Sequence, residues 1–419
     1  MKKLFMLRAF NILWIAIWIL TPVEATRAQS SPSAAAAPRE ILPGAARYDQ
    51  YIPQITGKSV AVFANQTSVI GASHLVDVLL SKGITIKKIF SPEHGFRGVA
   101  DAGEKVGNTL DPKTGIPLIS LYGPKRKPSA EDLKDVDVMI FDIQDVGTRF
   151  YTYISSLQEY IESAIQNNKT LIILDRPNPN GFYIDGPVLD RKFKSYVGMQ
   201  PIPVVYGMTI GEYAHMLVGE KWIDSSLAGK LMVEKPTYKI IVVPCANYDH
   251  KSKYVMSVRS SPNLPDIQST YWYPSTCFFE GTVLSEGRGT DKPFELFGHP
   301  SLPKTLISFT PKSKEGATDP KLKDQLCYGW DVSGSPEEVL KKVDNRLQLK
   351  WVLNAYKLFP EKDKFFLANK YFNKLAGNDI LMQQIKDGKT EDEIRRSWQP
   401  KLDAFKKIRK KYLLYTDFN

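Results

Sequence analysis

Short apolar runs recur along the first half of the chain, at Ser59–Ala64, Ile86–Phe90, Pro117–Leu121, Val136–Ile143 and Thr170–Leu174. Between them lie His74–Ser81, Ser129–Lys134 and Ile154–Asn167, whose apolar positions recur at helical spacing. Strands alternating with helices predict a parallel sheet covered on both faces, an α/β architecture of the Rossmann-like, doubly wound kind. After about residue 250 the rhythm changes. Residues 257–300 are dense in Gly, Pro, Ser and aromatics and read as loops, and from Ser335 helical patterns dominate (Pro336–Leu347, Thr390–Trp398, Leu402–Tyr412). The pattern therefore predicts a Rossmann-like domain over residues 45–255 and a smaller α+β domain over 256–419. No internal repeat of solenoid period is visible.

The N-terminus changes the picture. Lys2, Lys3 and Arg8 precede an apolar run from Ala9 to Leu20, and Thr26-Arg27-Ala28 offers small residues for cleavage. This is the pattern of a secretory signal, too short for a comfortable membrane span, so residues 1–28 are set aside and 29–44 read as a Ser/Ala/Pro-rich tether. The mature protein is expected to be exported, periplasmic or secreted, with no stable membrane span. Basic residues outnumber acidic ones, 56 to 45. Much of the excess lies near the C-terminus, where it reads as a solvated helix face rather than a nucleic-acid surface. Cys245, Cys277 and Cys327 are widely spaced, which argues against zinc and for buried thiols.

A doubly wound sheet places its functional residues beyond the C-terminal ends of its strands. Polar clusters fall there: Asn65-Gln66-Thr67, then Ser91-Pro92-Glu93-His94-Gly95, then Asp142, Gln144 and Asp145, then Asp175-Arg176-Pro177-Asn178. Glu93 beside His94 suits a general acid or base, or equally a helix cap with a structural imidazole. Residues 141–153 gather Asp142, Gln144, Asp145, Arg149 and Tyr151, which suit sugar stacking and hydroxyl or carboxylate binding, or else a capped turn with Arg149 paired to Asp142. Arg176 and Asn178 sit on a proline-fixed loop, facing a cleft or a structural network with Asp175. Farther on come Asn263 in Ser-Pro-Asn-Leu-Pro, and Glu280, Glu286 and Arg288 among Gly281, Gly287 and Gly289, whose small size leaves room for a saccharide near the backbone. No GxGxxG turn, P-loop or GxSxG elbow accompanies these clusters. Asp142, Asp145, Asp175 and Glu93 as a Mg²⁺ set is the remaining alternative, disfavoured by the arginines among them.

SPEHGFRG, DIQDVGTRFYTYI, LDRPNPNG, GMTIGE, SPNLP and FEGTVLSEGRGT…PFELFG occur in this order from about residue 45 to the terminal Tyr412-Leu413-Leu414-Tyr415. The ordered set resembles the NamZ-type exo-β-N-acetylmuramidases, glycoside hydrolase family 171. The resemblance implies a cleft between the two domains, no metal or organic cofactor, and release of N-acetylmuramic acid from the non-reducing end of peptidoglycan-derived disaccharides or short glycans. On that footing Glu93 is the expected general acid and Glu286 the second carboxylate, with Glu280 behind it. His94, Asp142, Gln144, Asp145, Arg149, Tyr151, Arg176, Asn178, Asn263 and Arg288 are the expected substrate-binding set. The lactyl carboxylate of the substrate calls for a cation, with Arg176, Arg149 or Arg288 as candidates. Tyr206 and Val283 depart from the family pattern, where His and Asn are usual, and Tyr206 is expected to alter a pocket wall. The competing reading is a non-catalytic periplasmic binding protein for wall-derived amino sugars.

Overall fold

A computed structural model describes residues 39–93, 95–96, 109–233 and 236–418. The expected export signal, the tether up to residue 38 and His94 lie outside the described residues. The chain forms β1 (Ser59–Ala64), a separate hairpin of β2 (Val69–Ile70) and β3 (Ser73–His74), then β4 (Thr85–Ser91), β5 (Thr109–Leu110), β6 (Pro117–Ser120), β7 (Val138–Asp142), β8 (Thr170–Leu174) and β9 (Lys239–Val243). Outside the hairpin these strands make one sheet in the order β5-β6-β4-β1-β7-β8-β9. Every neighbouring pair is parallel except β5 against β6. The chain steps outward from β1 to β4 and β6, then returns to β7 on the other side of β1, and such a reversal opens a crevice above the strand ends.

Alternation along the strands feeds two cores. Ala61, Phe63, Phe141 and Ile173 face one way, against Leu157, Tyr160 and Ile161 of the helix Tyr153–Gln166. Val60, Val62, Ile140 and Ile172 face the other, toward Tyr51 and Ile55 of the helix Tyr48–Ile55 and Leu75 and Leu79 of Leu75–Ser81. The first core continues without a break into Phe278, Phe297 and Trp398. The doubly wound sheet and the C-terminal part thus share one apolar interior, and residues from Glu40 onward make a single compact unit. The C-terminal part carries β10 (Leu296–His299), β11 (Ile307–Phe309) and β12 (Cys327–Asp331) as a small antiparallel sheet in the order β10-β12-β11, followed by helices. All three cysteines are free and buried.

The pattern reading does not contain β5, β9 or the β2–β3 hairpin, and three of the elements that it does contain differ. Ser129–Lys134 is a run of turns, because the Asp132 carboxylate takes the Ser129 backbone N–H and hydroxyl, each at 2.7 Å, and so competes with helix bonding. The two C-terminal helices are one, Glu391–Arg409, running through Pro400. A proline inside a helix costs about 3 kcal/mol; the buried stripe Ile394, Trp398, Leu402 and Phe405 and a Thr390/Glu393 capping box offset it. The helix Pro336–Val343 stops short of Leu347 because Asp344 and Asn345 turn left-handed.

Candidate functional site

A cavity of about 500 Å³ lies over the ends of β4, β6 and β7 and is closed from the other side by the C-terminal part. Each strand end supplies its wall by a turn. After β4, the Gly95 N–H donates to the Pro92 carbonyl at 3.1 Å, and Gly95 takes the left-handed conformation that closes a tight turn. That turn lifts Glu93 into the cavity, where the Tyr122 side chain hydrogen-bonds it. Burial, with the Glu93 charge and that hydrogen bond behind it, raises the Tyr122 phenol well above its ordinary value. After β6 come Tyr122, Gly123 and Arg126. After β7 come Phe150, Tyr151, Thr152 and Tyr153. Tyr153 is held from β1 by the Asn65 amide, 2.9 Å away, and Tyr151 donates to the Ser260 carbonyl at 2.9 Å.

The opposite wall consists of Ser261, Asn263, Leu264, Tyr273, Glu280, Arg288, Phe294 and Tyr371. Tyr273 rides on the helix Ile267–Thr276, which an Asp266/Ser269 capping box starts. Glu280 lies in the short 3-10 helix Cys277–Gly281 and accepts from Arg288 at 2.7 Å. Phe294 holds a left-handed φ of 64° that a bulky residue rarely adopts, fixed by its N–H donating to the Glu286 carbonyl at 2.7 Å. The Arg288 guanidinium lies 5.1 Å from the centre of the Phe294 ring. Among the described residues the lining thus combines two carboxylates, two guanidiniums and many aromatic faces, a surface suited to a sugar carrying charge.

The structure brings Glu93, Glu280, Tyr151, Asn263 and Arg288 to this cavity. His94 lies outside the described residues, and the other expected residues lie behind the cavity. Glu286 is buried between Lys321, 2.7 Å away, and Arg288, 3.3 Å away. Burial acts to raise its carboxyl, but Lys321 and Arg288 together outweigh that and hold it below the usual range, so Glu286 is a pinned anion rather than a proton donor. Asp142 pairs with Arg176 through bonds of 2.6 and 2.8 Å, both groups buried. Gln144 donates to the carbonyls of Asp145 and Pro177. Asp145 accepts from the Gly147 N–H and the Tyr206 hydroxyl, and burial lifts its carboxyl to about 6. Asn178 donates to the Met208 carbonyl.

Arg149 is caged by the carbonyls of Pro187, Ile202 and Leu375 at 2.7–2.8 Å, and burial pushes its guanidinium down to about 9. It ties the β7 loop to the segment that carries Tyr371. Asp175, the last of the carboxylates considered as a Mg²⁺ set, accepts from Thr209, Gly211 and Tyr415, stitching the C-terminal tail to the sheet. Among the described residues no three His, Cys, Asp or Glu side chains group as metal ligands.

Two further expectations change. Gly281, Gly287 and Gly289 make room for the protein itself: a Cβ there would lie 2.5 Å from the Phe372 Cα, 2.5 Å from the Leu296 carbonyl oxygen and 2.4 Å from the Lys312 carbonyl oxygen. Tyr206 is no cavity wall but the buried clamp on Asp145. Tyr122, Arg126, Tyr196, Tyr273, Phe294 and Tyr371 line the cavity without having been singled out. The strand-end rule, applied to Pro117–Leu121, points at Tyr122–Arg126; the others carry no local signal.

The description "Exo-beta-N-acetylmuramidase NamZ, N-terminal" matches residues 60–268, and its C-terminal counterpart matches residues 271–415. The chain is 39% identical over 385 residues to the peptidoglycan beta-N-acetylmuramidase NamZ of Bacillus subtilis (strain 168), covering 87% of this chain and 89% of that protein. Two solved DUF1343 family proteins of Bacteroides fragilis NCTC 9343 share the fold. One superposes with a TM-score of 0.81 at 42% identity, covering 90% of this chain and 100% of its own. The other reaches 0.73 at 28% identity, covering 90% and 99%.

Proposed function

The chain belongs to the exo-β-N-acetylmuramidase NamZ family, and we propose that it is an exported, exo-acting glycoside hydrolase that releases N-acetylmuramic acid from the non-reducing end of peptidoglycan fragments in cell-wall turnover. The observation that carries this reading is the presence of Glu93 and Glu280 in one aromatic-walled cavity, in a chain that the two family descriptions match over residues 60–268 and 271–415. Glycoside hydrolysis needs two carboxyl groups about the scissile bond, one to deliver a proton to the departing oxygen and one to serve the opposite face of the sugar. Glu93 is the proton donor in this reading. It stands on the tight turn after β4, with the Tyr122 phenol fixing its carboxyl. Glu280 is the second carboxylate, held by Arg288, and Glu286 anchors Arg288 from behind.

In the reaction Glu93 gives its proton to the glycosidic oxygen as the bond to the anomeric carbon breaks. Water adds to that carbon and gives up a proton that restores Glu93, directly or by way of Glu280 and solvent, so protons and bonds balance over the cycle. The aromatic faces of Tyr151, Tyr273 and Tyr371 are the stacking surfaces for the sugar ring. Export rests on the N-terminal sequence pattern, a basic stretch followed by a short apolar run. The test is release of free N-acetylmuramic acid from N-acetylmuramyl-β-1,4-N-acetylglucosamine by the mature protein.

A further inference from the structure

We propose that Arg126 is the residue that recognises the lactyl carboxylate and so selects N-acetylmuramic acid over N-acetylglucosamine. The inference rests on the muramidase reading and deepens it. N-acetylmuramic acid differs from N-acetylglucosamine by a lactyl ether on O3, carried two ring carbons from the anomeric centre and ending in a carboxylate. A site that prefers it needs a cation in the same cavity as the proton donor, and that cation must not already be neutralised.

Among the described residues the cavity carries two arginines. Arg288 is committed: it meets Glu280 at 2.7 Å and Glu286 at 3.3 Å. Together with Lys321 these form a set of two cations and two anions that closes on itself. Arg126 is different. It pairs with no described carboxylate at ion-pair distance, although its charge reaches Glu159 along with that of Lys127. Arg149 and Arg176, the other cations considered for this role, are buried behind the wall, in a carbonyl cage and in a pair with Asp142.

Arg126 is also held in a geometry suited to the task. Its guanidinium lies over the Tyr196 ring, 4.2 Å from the centroid, and its Nε donates to the Gly123 carbonyl at 3.3 Å. Tyr196 is itself fixed, its hydroxyl 2.8 Å from Ser156 Oγ and its carbonyl accepting from Ser155 at 2.7 Å. With one face stacked and Nε used, the two terminal nitrogens remain as the fork that a carboxylate meets bidentately. Arg126 follows β6 and Glu93 follows the adjacent β4, so adjacent strand ends deliver the cation and the proton donor to one cavity.

The experiment compares wild type, Arg126→Gln and Arg126→Lys on N-acetylmuramyl-β-1,4-N-acetylglucosamine and on its lactyl methylamide, which keeps the branch and loses the charge. Wild type should prefer the acid. Arg126→Gln should shrink the ratio of kcat/KM values, acid over amide, by roughly 10- to 150-fold, the worth of one charge-assisted contact. Arg126→Lys should keep part of the ratio, and raising the salt should erode it in wild type because Arg126 is exposed. A ratio unchanged in Arg126→Gln overturns the proposal, whether both rates fall together or neither moves. If wild type cleaves neither compound, the hydrolase reading fails separately. Binding of free N-acetylmuramic acid against N-acetylglucosamine by wild type and Arg126→Gln then decides Arg126: selectivity lost in the variant supports the assignment, and selectivity kept overturns it.

Discussion

Arg288 donates to Glu280 across 2.7 Å at the cavity wall while its Nε faces Glu286 at 3.3 Å on the buried side. One guanidinium thus bridges a carboxylate that can meet substrate and one that cannot, and the two glutamates acquire different roles although only five residues separate them. Glu280→Gln should lower kcat by about 10²- to 10⁴-fold, the range for a positioned acid or base. KM and the melting temperature should move little. Steady-state kinetics alongside thermal unfolding checks this, and a loss confined to KM would assign Glu280 to binding alone.

Glu286→Gln should behave in the opposite way. Removing this anion leaves Lys321 and Arg288 facing each other beside a buried amide. Breaking a buried pair costs about 3–5 kcal/mol, and partial exposure of both cations places this one near the lower end. Denaturant unfolding should show that loss, with a smaller fall in kcat than Glu280→Gln causes. A stable but inactive Glu286→Gln protein would return Glu286 to the chemistry.

Asp145 gives a pH prediction. Burial raises its folded-state carboxyl from 3.8 to about 6, against the lowering pull of the Tyr206 and Gly147 hydrogen bonds. The folded protein therefore keeps a proton over a range in which the unfolded chain has lost it. The stabilisation this provides is full below about pH 4, falls as pH rises through about 6, and is gone above that. Asp145→Asn keeps an acceptor for Tyr206 and Gly147 but cannot titrate. The stability of wild type minus that of Asp145→Asn, from denaturant midpoints across pH 4–7, should decline with rising pH and then level off. A flat difference would show that Asp145 titrates normally in the fold.

The central strands were legible because a strand buried on both faces has to be apolar throughout, as Val138–Asp142 and Thr170–Leu174 are. The place of Glu93 at the cavity was legible because the strand-end rule needs only the position of β4. Arg149 and Arg126 show where legibility stops. Both follow strands of the sheet on polar loops, and what separates them is the set of carbonyls on Pro187, Ile202 and Leu375, brought together from distant parts of the chain. The same holds for Glu280 and Glu286, which Lys321 tells apart from another loop. Tyr273 and Tyr371 read locally as core residues of helices, and only the packing of the C-terminal part against the sheet turns them into a cavity wall. Pro400 shows the same limit: its helix penalty is local, but the buried stripe that offsets it is a property of the whole helix Glu391–Arg409.

The central claim is that Glu93 delivers the proton that frees N-acetylmuramic acid. The direct measurement is release of the free sugar from N-acetylmuramyl-β-1,4-N-acetylglucosamine by the wild-type protein and by Glu93→Gln, with disaccharide binding measured on both. Turnover by wild type, with its loss in Glu93→Gln and binding retained, is the predicted result. Equal turnover by both would contradict the role of Glu93, and binding without turnover in either would make the protein a receptor for wall sugars rather than a hydrolase.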